Sequence, residues 1–272
     1  MDIIKRNFFR LLRSGAFNEQ EALEPMSAFK WRRLYQMVEA QQVVPAFAKG
    51  AYNNGHDETL NIPDDLLKVI GNKNRDDLMP QASFFAERPE LRNMILNRKL
   101  KKIYKNERHS IDTSVETMEL LTIIINNVNN MLNKGLCMGG IIQLGVYLRN
   151  KGHLVDFIKL ETWLKQLHMQ RMAQLQGSIL MAVFGFEQDE LPFVEKEEPS
   201  AYKLTMRAVS NLAKDTAKEW HFRQSSTGFV QNNSAVLRRN LRRSIRYAGY
   251  APLETSSNFV SNFVRSLSEI EE

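Results

Sequence analysis

Apolar residues recur every three or four positions through most of the chain, and this spacing constrains the fold more than any other feature. Residues 115–134 are the clearest case. Their apolar stripe consists of Met118, Leu121, Ile125, Val128 and Leu132. Gly and Pro number only 13 and 8 in 272 residues, so turns are few and segments are long. Because no segment alternates like a strand, the sequence predicts an all-α bundle of roughly 10–13 helices without significant sheet.

Caps and breaking residues divide this pattern into helices. Ser14-Gly15 should end the first helix, Ser27 is a plausible N-cap, and Pro63 and Pro252 should each begin a helix. The predicted helices cover residues 2–13, 28–41, 43–52, a segment from 63, 90–108, 115–134, 141–149, 156–167, 169–184, 201–218, 234–247 and 252–267. We expect a helical region at 1–110 and another at 111–272, packed as one globular unit.

Composition favours a cytoplasmic protein. Cys137 is the single cysteine, which fits a reducing compartment. The first residues lack the apolar run and small-residue site of a signal peptide. The longest apolar stretch, residues 120–125, is interrupted by Asn126-Asn127 and is far short of a membrane span. We therefore expect no membrane association.

The residues that usually carry catalysis are scattered. The five histidines (56, 109, 153, 168 and 221) are far apart, so no metal site is expected. Gly139-Gly140 is the only glycine pair, and no Lys-Ser or Lys-Thr follows it as in a phosphate-binding loop. We interpret the pair as a helix junction, and Cys137 as a small buried hydrophobic residue. The sequence predicts no catalytic residue and no cofactor.

Nucleotidyl transfer requires carboxylates that hold a divalent metal at the triphosphate. Gly177-Ser178 is followed at a distance by Asp189-Glu190, but the glycine and serine lie in an apolar helical stretch. Adjacent carboxylates would also point to opposite faces of a strand. Neither Asp-x-Asp nor Asp-x-Glu occurs anywhere in the sequence.

Three groups of segments resemble a family of uncharacterised bacterial nucleotidyltransferases, in the helical regions that flank its catalytic domain. The N-terminal segments are Phe8 to Gly15, Trp31-x-x-Leu34-Tyr35 and Gln41-x-Val43-Val44-Pro45. The C-terminal segments are residues 133–148, 156–165 and 184–193. The ending consists of residues 238–247 and 251–254. The resemblance implies a bacterial protein with this family's helical architecture.

The departure from the family lies between these parts. The family places a catalytic α/β domain with metal-binding carboxylates there, whereas this chain has only a handful of residues between Arg108 and Val115. Gly139 and Gln143 also stand where the family usually has Arg and Asp. These differences predict a pseudoenzyme that serves as a binding or scaffold protein, with a protein partner as one option. A degenerate nucleotidyltransferase with residual nucleotide binding is an alternative.

A basic helical nucleic-acid-binding module is the other alternative, and the net charge of +6 permits it. The basic face that supports it consists of Arg238, Arg239, Arg242, Arg243 and Arg246. A second basic helix carries Lys99, Lys101, Lys102, Lys105 and Arg108. The competing interpretation, which we favour, is structural. In it the arginine stems cover Leu237, Leu241 and Ile245, and their charged ends are either solvated or paired with the acidic loop at 187–198.

Overall fold

The chain forms an all-α helical bundle. The computed structural model describes residues 2–55, 58–71, 88–109, 114–210 and 233–268, and in these ranges it contains twelve α-helices and no strand. The helices are α1 (Ile3–Phe17), α2 (Ala28–Ala40), α3 (Val44–Asn53), α4 (Asp64–Gly71), α5 (Met94–Arg108), α6 (Val115–Asn133), α7 (Met138–Lys151), α8 (Phe157–Gln166), α9 (Gln170–Phe184), α10 (residues 201–210), α11 (Asn233–Tyr247) and α12 (Pro252–Ser268). Short 3-10 turns lie at Glu58–Leu60 and Gly152–Leu154.

The long helix α6 organises the C-terminal part of the bundle. It contacts α7, α8 and α9 along its length, and α11 and α12 also pack against it. Asn127 of α6 donates to the carbonyl oxygen of Gly140 at 3.0 Å and to Oε1 of Gln176 on α9 at 2.9 Å. Gln176 in turn donates to the carbonyl oxygen of Ile124 at 3.2 Å, so these buried amides are hydrogen-bonded inside the core.

The N-terminal helices are joined by a very close crossing of α1 and α3. A Cβ atom on Gly15 would lie 1.8 Å from the carbonyl oxygen of Ala46, and one on Gly50 would lie 2.0 Å from that of Leu11. The expected helix end at Ser14-Gly15 is therefore wrong, since α1 continues to Phe17. Gly15 serves the packing of two backbones and does not break the helix.

One hydrophobic core contains residues from both sides of the boundary predicted near residue 110. Phe9 and Phe17 of α1 contact Phe184 of α9 edge to face, with ring centroids 6.1 and 5.5 Å apart. Helix α1 also contacts α7. Within the described ranges, no helix combines the length and the apolar character needed to cross a membrane.

Candidate interaction surface

The five predicted arginines of α11 divide into inward and outward positions. Arg243 is half-buried, and its guanidinium donates to the carbonyl oxygen of Asn133 at the end of α6. Arg246 is also half-buried, beside the buried Tyr247. Arg238 and Arg242 are exposed, whereas the side chain of Arg239 lies outside the described residues. The structure therefore leaves two described arginines of the predicted face directed at solvent.

Two aliphatic residues of α11, Leu241 and Ile245, do not lie behind the arginines. Leu241 is 44% exposed and Ile245 is 69% exposed, so the interpretation that arginine stems cover them is wrong for these two positions. The side chain of Leu237 is not described. Residues 238, 241, 242 and 245 follow the spacing i, i+3, i+4 and i+7, which places two arginines and two aliphatic residues on one stripe.

Helix α12 adds three large apolar side chains to this exposed surface. Val260 and Val264 are each 58% exposed, and Phe263 stacks on Phe259 with ring centroids 6.4 Å apart. The opposite side of α12 carries the buried Thr255. The sequence does not reveal the exposure of these residues, because apolar spacing identifies an amphipathic helix without saying whether its apolar stripe is covered.

Both helices lie against the C-terminal end of α6. Arg243 of α11 reaches Asn133, and the side-chain amide of Asn258 on α12 donates to the carbonyl oxygen of Leu132 at 3.3 Å. The helices also pack against each other. The sides opposite to α6 therefore form one outward surface, which we call the hairpin face. It consists of Arg238, Leu241, Arg242, Ile245, Val260, Phe263 and Val264.

The acidic loop at 187–198 binds other arginines than those expected. Glu190 pairs with Arg149 of α7 at 3.0 Å, and Glu198 pairs with Arg171 of α9 at 3.0 Å. The Arg149 guanidinium also lies over the rings of Phe17 and Phe186. The paired acids of this loop are thus held by α7 and α9. A shallow cleft of about 180 Å3 lies near the loop, between α8, α9 and residues 193–195, and Arg171 on its wall is already engaged.

Contacts inside the fold account for the Gly139-Gly140 pair and for Cys137. The glycines lie in the first turn of α7, and the amide of Gly139 donates to the carbonyl oxygen of Gln41 at 3.1 Å. The thiol of Cys137 donates to the same oxygen at 2.9 Å, and burial raises its pKa to about 11. A thiol with this pKa is protonated at neutral pH and is not a nucleophile. The interpretation of Cys137 as a small buried residue is confirmed.

Contacts inside the fold also account for the Gly177-Ser178 pair. Gly177 and Ser178 lie inside α9, where a Cβ atom on Gly177 would lie 2.3 Å from a methyl group of Val194. The hydroxyl of Ser178 accepts the amide of Glu198 at 2.9 Å. In the part of the chain that the structure describes, no three His, Cys, Asp or Glu side chains are grouped to hold a metal ion.

Comparison with protein-family models, with curated proteins and with solved structures gave no match to this chain.

Proposed function

We propose that this chain is a non-catalytic binding or scaffold protein that contacts its partner through the hairpin face, and that it retains the helical parts of the nucleotidyltransferase family. The observation that carries the proposal is the exposure of five large apolar side chains on two adjacent helices. Several exposed large apolar side chains on neighbouring helices are typical of an interaction site. The bacterial origin and the cytoplasmic location predicted from the sequence belong to the same proposal.

The residues that resemble the nucleotidyltransferase family support a retained scaffold. Phe8, Leu11, Trp31 and Leu34 from the N-terminal segments are buried in the core. Trp31 also donates its indole N–H to the carbonyl oxygen of Leu60 at 2.8 Å. A match confined to such positions concerns packing, because core residues determine the fold and carry no chemistry by themselves.

Site-specific photo-crosslinking in the native host tests the proposed binding face. A photoreactive residue is placed at position 245 or 260, and the matched control carries it at position 158. Ile158 is 82% exposed on α8 and is not part of the hairpin face. We expect discrete crosslinked species from 245 and 260 and none from 158. Equal crosslinking from all three positions, or none from any, would contradict the proposal.

A nucleotide-transfer assay tests the non-catalytic part of the proposal. We expect no transfer from ATP, GTP, CTP or UTP with Mg²⁺ or Mn²⁺, because neither Asp-x-Asp nor Asp-x-Glu occurs in the sequence. Asp189→Asn provides the control, since Asp189 belongs to the Asp189-Glu190 pair. Metal-dependent transfer that persists through purification and disappears in this variant would establish an enzyme instead.

Nucleic-acid binding is the second candidate, and the exposed Arg238 and Arg242 favour it. On α5, Lys102 and Lys105 are exposed as well, whereas Lys101 pairs with Glu90 at 2.6 Å. Each phosphate contact made by these cations would add about −0.9 to the slope of log affinity against log salt. A salt titration of a labelled duplex and a labelled single strand therefore measures how many contacts form.

The matched variants for that titration are Arg242→Gln and Arg243→Gln. If nucleic acid binds this surface, replacing the exposed Arg242 should reduce the slope by about one contact. Replacing Arg243, which is bonded to α6, should leave the slope unchanged and lower the melting temperature. Binding that is insensitive to salt, or equally insensitive to both substitutions, would contradict the nucleic-acid candidate.

A further inference from the structure

We infer that the hairpin face binds an acidic amphipathic helix, whose apolar stripe covers the exposed aliphatic residues and whose carboxylates pair with the arginines. The inference rests on the proposed binding function and specifies the chemistry of the partner. It depends on three properties of this surface, namely its shape, its apolar residues and the sign of its charge.

The shape of the surface comes from two helices side by side. Because α11 and α12 contact each other and both rest on α6, their outward stripes lie on two helices packed side by side. Side chains on two such stripes can pack against the i, i+3, i+4 and i+7 positions of a third helix. A helix laid over α11 and α12 would complete a packed layer.

The apolar residues define what the partner must bury. Ile245 on α11 and Val260 and Val264 on α12 are more than half exposed, and each is β-branched with few rotamers to lose. Burying apolar surface contributes about 25 cal/mol per Å2. A partner that lacks apolar groups would gain none of this energy.

The charge of the pair has one sign. Residues 233–268 contain six arginines and one acid, Glu254. Glu254 is buried and accepts the amides of Arg92 and Asn93 at 2.5 and 3.0 Å, so its carboxylate is directed away from the outward surface. An acidic partner would meet the exposed Arg238 and Arg242, whereas a second copy of this face would bring the same two arginines against them. Like charges at an interface suppress pairing, which argues against a homodimer through this surface.

Nucleic acid and bilayers fit the hairpin face less well. A phosphate backbone would pair with Arg238 and Arg242 but would leave Ile245 and the valines of α12 without an apolar contact. Insertion into a bilayer would carry Arg238 and Arg242 towards the acyl chains, because they lie on the same stripe as Leu241 and Ile245. An amphipathic helix with carboxylates beside its apolar stripe satisfies both groups at once.

The test measures fluorescence anisotropy of a labelled synthetic peptide of about five helical turns, built from Leu at helical spacing and Glu elsewhere. Two control peptides have the same composition in scrambled order, or Lys in place of Glu. We expect micromolar binding of the acidic amphipathic peptide by the full chain. The scrambled peptide and the basic peptide should each bind at least about tenfold more weakly.

Variants of the full chain locate the binding. Ile245→Asp, Val260→Asp and Arg242→Glu should each weaken the acidic peptide by about tenfold or more, and Arg242→Glu should improve the basic peptide. Ile158→Asp on α8 is the matched control and should bind as the parent does. All four positions are exposed, so melting temperatures should stay close to that of the parent, and circular dichroism verifies the fold.

The photo-crosslinking and the peptide titration together distinguish failure of this inference from failure of the proposed function. Crosslinking at 245 and 260 without binding of the acidic peptide would overturn the inference and leave the binding function intact. Failure of both experiments would overturn both. Equal binding of acidic and basic peptides would also overturn the inference, as would hairpin-dependent binding of single-stranded DNA or of phosphatidylserine vesicles in place of the peptide.

Discussion

Helices α1 and α11 are both 15 residues long, basic and amphipathic, yet they differ in the burial of their apolar residues. In α1 the apolar stripe, including Phe8 and Leu11, is fully buried. In α11 the equivalent aliphatic residues Leu241 and Ile245 are exposed. A basic amphipathic pattern therefore identifies a helix but does not say whether its apolar side meets the core or a partner.

The difference between the two helices lies in what covers the basic side. Residues 18–27, between α1 and α2, supply two acids to α1. Glu24 pairs with Arg6 and Arg10 at 2.7 and 2.9 Å, and Glu21 pairs with Arg13 at 2.6 Å. The described residues of α11 and α12 have a single acid, Glu254, and its carboxylate accepts backbone amides at the start of α5. Helix α1 is thus enclosed on both sides, whereas α11 and α12 retain an exposed surface.

Truncating one leucine on each helix gives the largest expected difference. Leu11→Ala should lower the free energy of unfolding by about 3 kcal/mol, because it leaves a cavity at a fully buried position. Leu241→Ala, at a position 44% exposed, should lower it by less than about 1 kcal/mol. Urea denaturation followed by circular dichroism measures both. Equal losses in the two variants would remove the distinction between enclosed and open helices.

A methyl group at the crossing of α1 and α3 tests how tightly α1 is enclosed. Gly15→Ala should destabilise the fold by about 2 kcal/mol, because its Cβ would meet the backbone of Ala46. Gly152→Ala is the matched control. Its Cβ has no neighbour within 4 Å, and its φ of −57° suits any residue. Differential scanning calorimetry should show a lower melting temperature only for the first variant, and a parallel change in both would argue against the close crossing.

Neutralising neighbouring arginines sharpens the division within α11. Arg243→Gln should lower the free energy of unfolding by about 1.5 kcal/mol, because a charged donor to the end of α6 is lost. Arg242→Gln should change it by no more than about 0.5 kcal/mol, as expected for an exposed position. Chemical denaturation of the two variants beside the parent decides the matter. A larger loss for Arg242→Gln would reverse the assignment of inward and outward positions.

The smallest expected effect concerns pH and the acid that covers α1. The hydrogen bond from Arg6 is the main reason that the pKa of Glu24 falls from 4.5 to about 2. Its stabilising contribution is therefore complete above pH 4.5 and is lost as the pH falls towards 2. Glu24→Gln should lower the melting temperature at neutral pH and converge with the parent near pH 2.

The control for this titration is Arg242→Gln, since the exposed Arg242 lies on the hairpin face and not beside Glu24. Its melting temperature should follow the same pH dependence as the parent. If Glu24→Gln and the parent instead remain separated by a constant difference down to pH 2, the pairing with Arg6 does not explain the lowered pKa.

The helical architecture could be predicted from the sequence because the apolar repeat is local. Helix α6 was expected at residues 115–134 and is found at Val115–Asn133. Errors occur where glycine serves tertiary packing. Helix α7 is predicted to begin at residue 141 and begins at Met138, so the glycine pair lies inside its first turn, where Gly140 leaves space for the side chain of Asn127. Such contacts join distant parts of the chain, so local patterns do not contain them.

The candidate site was only partly predictable for a related reason. The arginines of α11 are visible in the sequence, but their directions depend on where α6 ends. The exposure of Val260 and Phe263 depends on which side of α12 meets α6, and apolar spacing alone does not decide this. The partners of the acidic loop, Arg149 and Arg171, are likewise fixed only by the arrangement of α7 and α9.

The buried carboxylate of Glu254 links the hairpin to a helix more than 150 residues earlier in the chain. Its oxygens hold the amides of Arg92 and Asn93, and the Asn93 side chain caps the first turn of α5 and donates to the hydroxyl of Ser257 at 3.0 Å. Any displacement of α12 therefore removes acceptors from the start of α5 and costs it cap stability. If a ligand on the hairpin face holds α12 in place, amide exchange at Ile95 and Leu96 should slow, because both amides are bonded to the side chain of Asn93.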